Sequence, residues 1–429
     1  MAAQKFIAGL AAIVAVGLYG CSSMEDPLES SKTQATLAMS FTDDNKRSAE
    51  EAVALAQAFF AKTQSRSSQY EWTPECLTTG DYSKMSRGED SSYDTLAYIV
   101  NRGDGDGFMV ISSDKRLPDV LAFSEVGKFE ISQDPDNIVN ALFVNNLDKY
   151  KQYKIPKSVD GYDFSTADGL FDKMIQLCPQ KAWQWDQGDS IYAHRVWIEH
   201  PECPVGCVGL ATGLVITYCS TGPITINNRK YHPHKFREGM IYGKDERPGS
   251  QYPGPIFPNV NPYGIPVEEE EPDFSDYEAM YKPIAMYRIA EFLSDIGKDL
   301  GLRYTKDATY GDHYKAKSYL QNKGFETSAL KPFDLNEMIT CLENEDILYA
   351  YAYTYKFDDF AGAHVWVIDG CCFDYSSDDS GDKENIFLHC NWGENVHMIG
   401  FYRGDVLRIN FNGYYNYRSP SYFSVKKKQ

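Results

Sequence analysis

Positive charge is in short supply. Lys and Arg number 42 against 61 Asp and Glu, a formal net charge of −19. Binding to nucleic acid or to an anionic membrane surface needs clustered Lys and Arg to displace counterions. The one basic run, Lys426 to Lys428, is a short tail, so nucleic acid is not an expected partner. Internal repeats are missing, which excludes solenoids and propellers. No second run long enough to span a bilayer follows the N-terminal segment. Asp104 and Asp106 lie in a Gly/Asp turn, but the other ligands of a calcium loop are lacking. Cys203 and Cys207 have no second matching pair to complete a zinc site. No metal and no other cofactor is expected.

The 429 residues allow two or three domains. With 43% hydrophobic and 24% charged residues, the chain can build a buried core in water. The N-terminus carries Lys5 and then "FIAGLAAIVAVGLYG", too short for a spanning helix and typical of an export signal over residues 1–20. Its end, "LYGC", resembles a bacterial lipobox, which would make Cys21 the acylated residue; several acyl chains would hold a soluble domain firmly on a membrane. Residues 21–44 read as a polar tether. The expected location is exported and membrane-anchored, periplasmic or at the cell surface, or released on maturation. Disulfides are permitted there.

After the tether, "SAEEAVALAQAFFAKTQ" predicts a helix with Ser48 and Glu51 as a capping box. Residues 65–92 read as a polar loop or irregular hairpin. "LAYIVNRGDGDGFMVIS" predicts a hairpin, "LPDVLAFSEVGKFE" a further strand and "DNIVNALFVNNLDKYKQY" a helix. Residues 45–155 thus form a small α+β unit, followed by a polar linker over 154–168 and a second unit over 156–429. The second unit opens with a helix at Cys207. It continues through a Pro/Gly-rich acidic stretch with Glu268 to Glu271, then the helix "IAMYRIAEFLSDIGKDLG". Its closing strands "ILYAYAYTY", "AHVWVID" and "NIFLHCNWG" alternate in polarity. Helices first and antiparallel strands later argue an α+β fold.

Cys207 sits at the first turn of "GCVGLATGLVITYC", where Val208, Ala211, Thr212, Val215, Ile216 and Cys219 share one apolar face. At that helix end the macrodipole and unpaired N–H groups favour a thiolate, and Gly206 permits close approach of backbone or substrate. A thiolate nucleophile also needs an imidazole to carry its proton. His364, at the head of an apolar strand, is the best of eight histidines; His389, close to Asn391, is its rival, and His232 and His234 flank a proline in a loop. The other cysteines, Cys203 included, cannot be paired from sequence.

"CPVGCVGLATGLVITYC", "GAHVWVIDG", "LHCNWG" and "WDQGDSIY" together resemble the streptopain family of cysteine peptidases, and residues 97–130 are similar to that family's pro-region. The resemblance covers most of the chain after the tether, in the family's order. It implies a papain-like α+β fold behind an inhibitory propeptide over 45–155, with cleavage between residues 150 and 180. It implies Cys207 as nucleophile, His364 as general base and acid, and Gln187 with the Cys207 N–H as oxyanion donors. Asn391 would orient the imidazole, and Trp392 would pack over that contact. The expected activity is peptide-bond hydrolysis through a thioester acyl-enzyme, on protein or peptide substrates, with the propeptide as intramolecular inhibitor. Where the family commonly continues "NWGWGG", this chain reads "NWGENVHMIGFY", and the acidic insertion at Glu268 to Glu271 has no counterpart. Glu394 there repels acidic substrates or attracts basic ones, or else is an exposed loop charge. The alternatives are an amidase or transamidase on the same fold, and a non-catalytic surface binding protein.

Overall fold

Ser48 and Glu51 exchange two hydrogen bonds, Ser48 N–H to Glu51 Oε2 at 2.8 Å and Glu51 N–H to Ser48 Oγ at 3.2 Å, and so start helix α1 (Ala49–Thr63). The computed structural model describes residues 45–63, 71–78, 95–131, 139–144, 146–147, 150–151, 171–178, 185–188, 190–237, 277–306, 308–356, 359–376, 382–394, 396–408 and 415–427. The export signal, Cys21, the tether, the 154–168 linker and Glu268 to Glu271 lie outside the described residues. From Asn45 onward the chain is one compact unit.

After α1 come β1 (Trp72–Thr78), β2 (Thr95–Arg102), β3 (Phe108–Ser112), β4 (Val120–Ser124), a helical segment around Asn140–Val144 and β5 (Lys173–Gln176). Then follow α2 (Ser190–Trp197), α3 (Cys207–Cys219), the hairpin β6 (Ile224–Ile226) and β7 (Arg229–Tyr231), α4 (Pro233–Arg237) and α5 (Tyr277–Leu300). Next are β8 (Arg303–Tyr304), β9 (Thr309–Tyr310), α6 (His313–Asn322), β10 (Lys331–Pro332) and α7 (Leu335–Glu343). The chain closes with β11 (Ile347–Lys356), β12 (Asp359–Tyr375), β13 (Lys383–Asn391), β14 (Gly400–Arg403), α8 (Gly404–Leu407) and β15 (Tyr415–Val425).

One antiparallel sheet runs through both halves of the chain, in the order β1-β2-β3-β4-β14-β13-β12-β11-β15-β10, with β5 added along the far half of β12. The predicted hairpin is β2–β3. Trp72–Thr78, within the stretch expected as a polar loop or irregular hairpin, is a strand; it is the outermost one, largely exposed and carrying Pro74. An edge strand has a solvated face and tolerates a missing N–H, so its polar sequence hides it.

The pleat of the sheet separates two cores. On one face Val365 and Val367 of β12 pack with Tyr349 and Tyr351 of β11 and with α3. On the other, Ala350, Ala352, Trp366 and Ile368 pack with α7 and with Leu142, Phe143, Leu147 and Tyr150. A third cluster joins the two halves: Phe59 of α1 and Phe123 of β4 meet Phe387 of β13 and Phe401 of β14, the Phe123 and Phe401 rings stacked at 5.0 Å. Helix α3 is buried on every side from Val208 to Cys219, so it is held by packing and not by an amphipathic stripe.

Candidate active site

The α3 helix begins at Gly206, whose φ is +89°. A Cβ there would stand 2.6 Å from Thr309 Cγ2, so only glycine suits both the backbone angle and the contact. Cys207 follows as the first helical residue, half-buried, with no side-chain cap at this helix end. The Val365 main-chain N–H acts on its sulfur in the direction that favours a thiolate. That N–H is available because the β12–β13 ladder ends at the pair Val367–Asn391. Beyond it one edge of β12 opens, and the head of α3 fills the opening.

His364 is the residue before Val365 and lies opposite Ala352 of β11. Its Nε2 is 2.8 Å from the Trp392 carbonyl oxygen. A carbonyl only accepts, so Nε2 carries the proton and Nδ1 is the basic nitrogen. Gln187 is tied into the same place by its main chain. Its N–H donates to Gly393 O at 2.9 Å, and its carbonyl accepts from Val205 N–H at 2.8 Å. The structure therefore gathers Gln187, Gly206, Cys207, His364 and Trp392 where α3, β12 and the loop after β13 converge.

Asn391 is buried and its Oδ1 accepts from Gly393 N–H at 3.1 Å, shaping the turn after β13, whereas the hydrogen bond at His364 Nε2 comes from the Trp392 main chain. The Trp392 ring is fully buried, 5.5 Å from the Trp366 ring and 5.1 Å from that of Tyr402. Phe143, from the N-terminal part, meets Tyr402 at 5.0 Å. A chain of aromatic contacts thus links the N-terminal part to the residue that holds His364.

The rival His389 is engaged elsewhere. It sits across from Gly370, its Nδ1 is 2.5 Å from Asp369 Oδ1, and both side chains are buried. His232 and His234 lie against each other at the start of α4, rings 5.8 Å apart. None of the nine cysteines among the described residues forms a disulfide; Cys203 is buried, its sulfur 3.6 Å from Pro201 O. Among the described residues no cluster of three or more His, Cys, Asp or Glu could hold a metal ion.

Burial pushes the Cys207 thiol up to about 11; the Val365 N–H pulls the other way, and the Glu394 charge adds to the rise. Burial also brings the His364 imidazole down to about 4, opposed by its bond to the Trp392 carbonyl. Both shifts favour uncharged partners. At neutral pH the thiol and the imidazole are both uncharged. Glu394, read from sequence as a possible exposed charge, is half-buried and close enough to act on the sulfur. The Val365 N–H and the Trp392 carbonyl were hidden for another reason: they are main-chain groups, which no residue pattern marks.

Residues 44–151 match the Spi protease inhibitor family. Streptopain from Streptococcus pyogenes serotype M28 (strain MGAS6180) is 24% identical over 353 residues, covering 76% of this chain and 80% of the relative. Streptopain from serotype M1 aligns with the same identity and coverage. Among solved structures, a Prevotella intermedia prointerpain A fragment aligns with a TM-score of 0.45 and 16% identity, covering 83% of this chain and 99% of the fragment. The chain is thus similar to streptopain over most of its length, and the segment ahead of the Cys207 part matches an inhibitor family.

Proposed function

We propose that the mature protein is a cysteine endopeptidase in which Cys207 attacks the scissile carbonyl and His364 moves the proton. The supporting observation is the seat of the Cys207 sulfur, at the head of a buried helix and against the N–H of the residue next to His364. Nδ1 of His364 takes the thiol proton, while Nε2–H stays on the Trp392 carbonyl. The sulfur then bonds to the carbonyl carbon. Negative charge gathers on the former carbonyl oxygen, where the Cys207 main-chain N–H and the Gln187 side-chain amide are the fitting donors. Collapse of this intermediate expels the peptide nitrogen, which takes the proton from His364. Water attacks the thioester, giving its proton to His364, and the acid product and thiol are restored.

The N-terminal segment before residue 152 keeps this chemistry silent in the zymogen. Strand β4 completes the sheet beside β14, with Phe123 opposite Phe401 and Ala122 opposite Tyr402. Tyr150 Oη accepts from Arg403 Nε at 2.9 Å, and Lys128 N–H donates to His397 O at 2.9 Å, on the loop that also carries Trp392. The protein is read as exported and lipid-anchored at Cys21, with maturation releasing the peptidase.

The test is hydrolysis of a denatured protein substrate by the matured chain. Cys207→Ala and His364→Ala should each abolish it while leaving the fold intact by circular dichroism. Hydrolysis that survives Cys207→Ala would sink the reading.

A further inference from the structure

The loop after Trp392 holds a carboxylate that the chemistry above does not use. Its main chain is pinned on three sides. The Trp392 carbonyl takes the His364 Nε2–H at 2.8 Å, and the Gly393 carbonyl takes the Gln187 N–H at 2.9 Å. Gly393 has φ +70°, and a Cβ there would stand 2.8 Å from Leu210 Cδ2. The chain is thus pressed against the first turn of α3, the turn that begins with Cys207. Glu394 comes next, half-buried, with its charge felt at the Cys207 sulfur.

The reaction fixes which side of the substrate passes this carboxylate. The leaving nitrogen must collect its proton from His364, so it departs on the imidazole side of the sulfur. The acyl half stays on the sulfur. The segment Trp392–Glu394 runs from the group that holds the imidazole to the Gln187 main chain, and so flanks the path of the leaving half. A carboxylate in range of the sulfur is also in range of the first side chain attached to the leaving nitrogen. Partial burial weakens solvent screening there.

Resting on the peptidase reading, we propose that Glu394 is a specificity-determining residue for the leaving side. It favours substrates with a basic residue directly after the scissile bond and disfavours acidic ones.

The experiment compares three internally quenched peptides, identical except for Lys, Gln or Glu at that position. The matured wild type, E394Q and E394K each receive all three. Active sites are counted by titration with an epoxide that alkylates Cys207, so partial folding drops out of the comparison. Wild type should show kcat/KM for the Lys peptide roughly tenfold above that for the Glu peptide. E394Q should bring the ratio to within about twofold, E394K should invert it, and added salt should shrink it in wild type. A wild-type ratio kept unchanged in E394Q overturns the assignment of Glu394 while leaving the peptidase reading in place. A wild type that titrates with the epoxide but cleaves none of the three peptides overturns the peptidase reading, and the inference falls with it.

Discussion

The carbonyl of Trp392 lies 2.8 Å from Nε2 of His364, so a main-chain group takes part in holding the imidazole. Asn391, one residue earlier, turns its amide oxygen to Gly393 N–H at 3.1 Å. Asn391→Ala in the matured enzyme should therefore act through the shape of the turn, with kcat/KM falling by roughly tenfold or less. His364→Ala should lose activity outright. Steady-state kinetics of the two variants check this; equal losses would show that the Asn391 side chain is as necessary as the imidazole.

The thiol should change character on maturation. In the zymogen, burial holds Cys207 near 11, so alkylation by iodoacetamide at pH 7 should be slow. Maturation is expected to open the site to water and let the α3 N-terminus and the imidazole stabilise a thiolate. The matured enzyme should react roughly a hundredfold faster at the same pH. Rates measured across pH should show the inflection moving down. Equal rates in the two forms would contradict this.

The buried imidazole makes zymogen stability fall in acid. His364 has an ordinary value of 6.5 and a folded value of about 4. Below 6.5 the unfolded chain takes up a proton that the folded chain refuses, so this contribution is intact above 6.5 and is lost as pH falls towards 4. Up to about 3 kcal/mol of pH dependence follows from this group. Urea denaturation at pH 7 and pH 4.5 measures it. His364→Gln should remove that part of the slope, leaving the shared carboxylate part.

The mature chain should begin before Phe171. Strand β5 pairs with β12 from Lys173–Phe373 to Gln176–Gly370, Leu177 N–H donates to Asp369 O at 2.8 Å, and Lys173 bonds Glu343 at 2.7 Å. A peptidase must take its substrate as a free extended strand, and β5 already belongs to the sheet. Intact-mass measurement of the matured protein should place its first residue upstream of Phe171. A start within 171–178 would mean that the sheet gives up a strand on activation.

Much of this was readable in residues. The Ser48–Glu51 cap, the Gly/Asp turn between β2 and β3, and the alternation in β11, β12 and β13 are local patterns with local causes, and each forms where expected. Cys207 at the head of a buried helix was legible for the same reason. What escaped depends on distant partners. Trp72–Thr78 is a strand only because β2 offers an edge. The joining of both halves into one sheet rests on two residue pairs between β4 and β14. That His364 precedes Val365, whose N–H acts on the sulfur, while His389 lies across from Gly370 and bonds Asp369, needed the β12 register, since both residues read as strand-end histidines. Glu394 shows the same limit: its charge was visible, but its nearness to the sulfur depends on the packing of Gly393 against Leu210.

The central claim is that one thiol of the ten in the chain carries the chemistry. It is tested most directly by treating the matured enzyme with an epoxide inhibitor until hydrolysis stops, then mapping the adduct by peptide mass spectrometry. One adduct per chain, on Cys207, appearing in step with the loss of activity, is the expected result. An adduct on another cysteine that accompanies inactivation, or full hydrolysis by enzyme completely modified at Cys207, would contradict it.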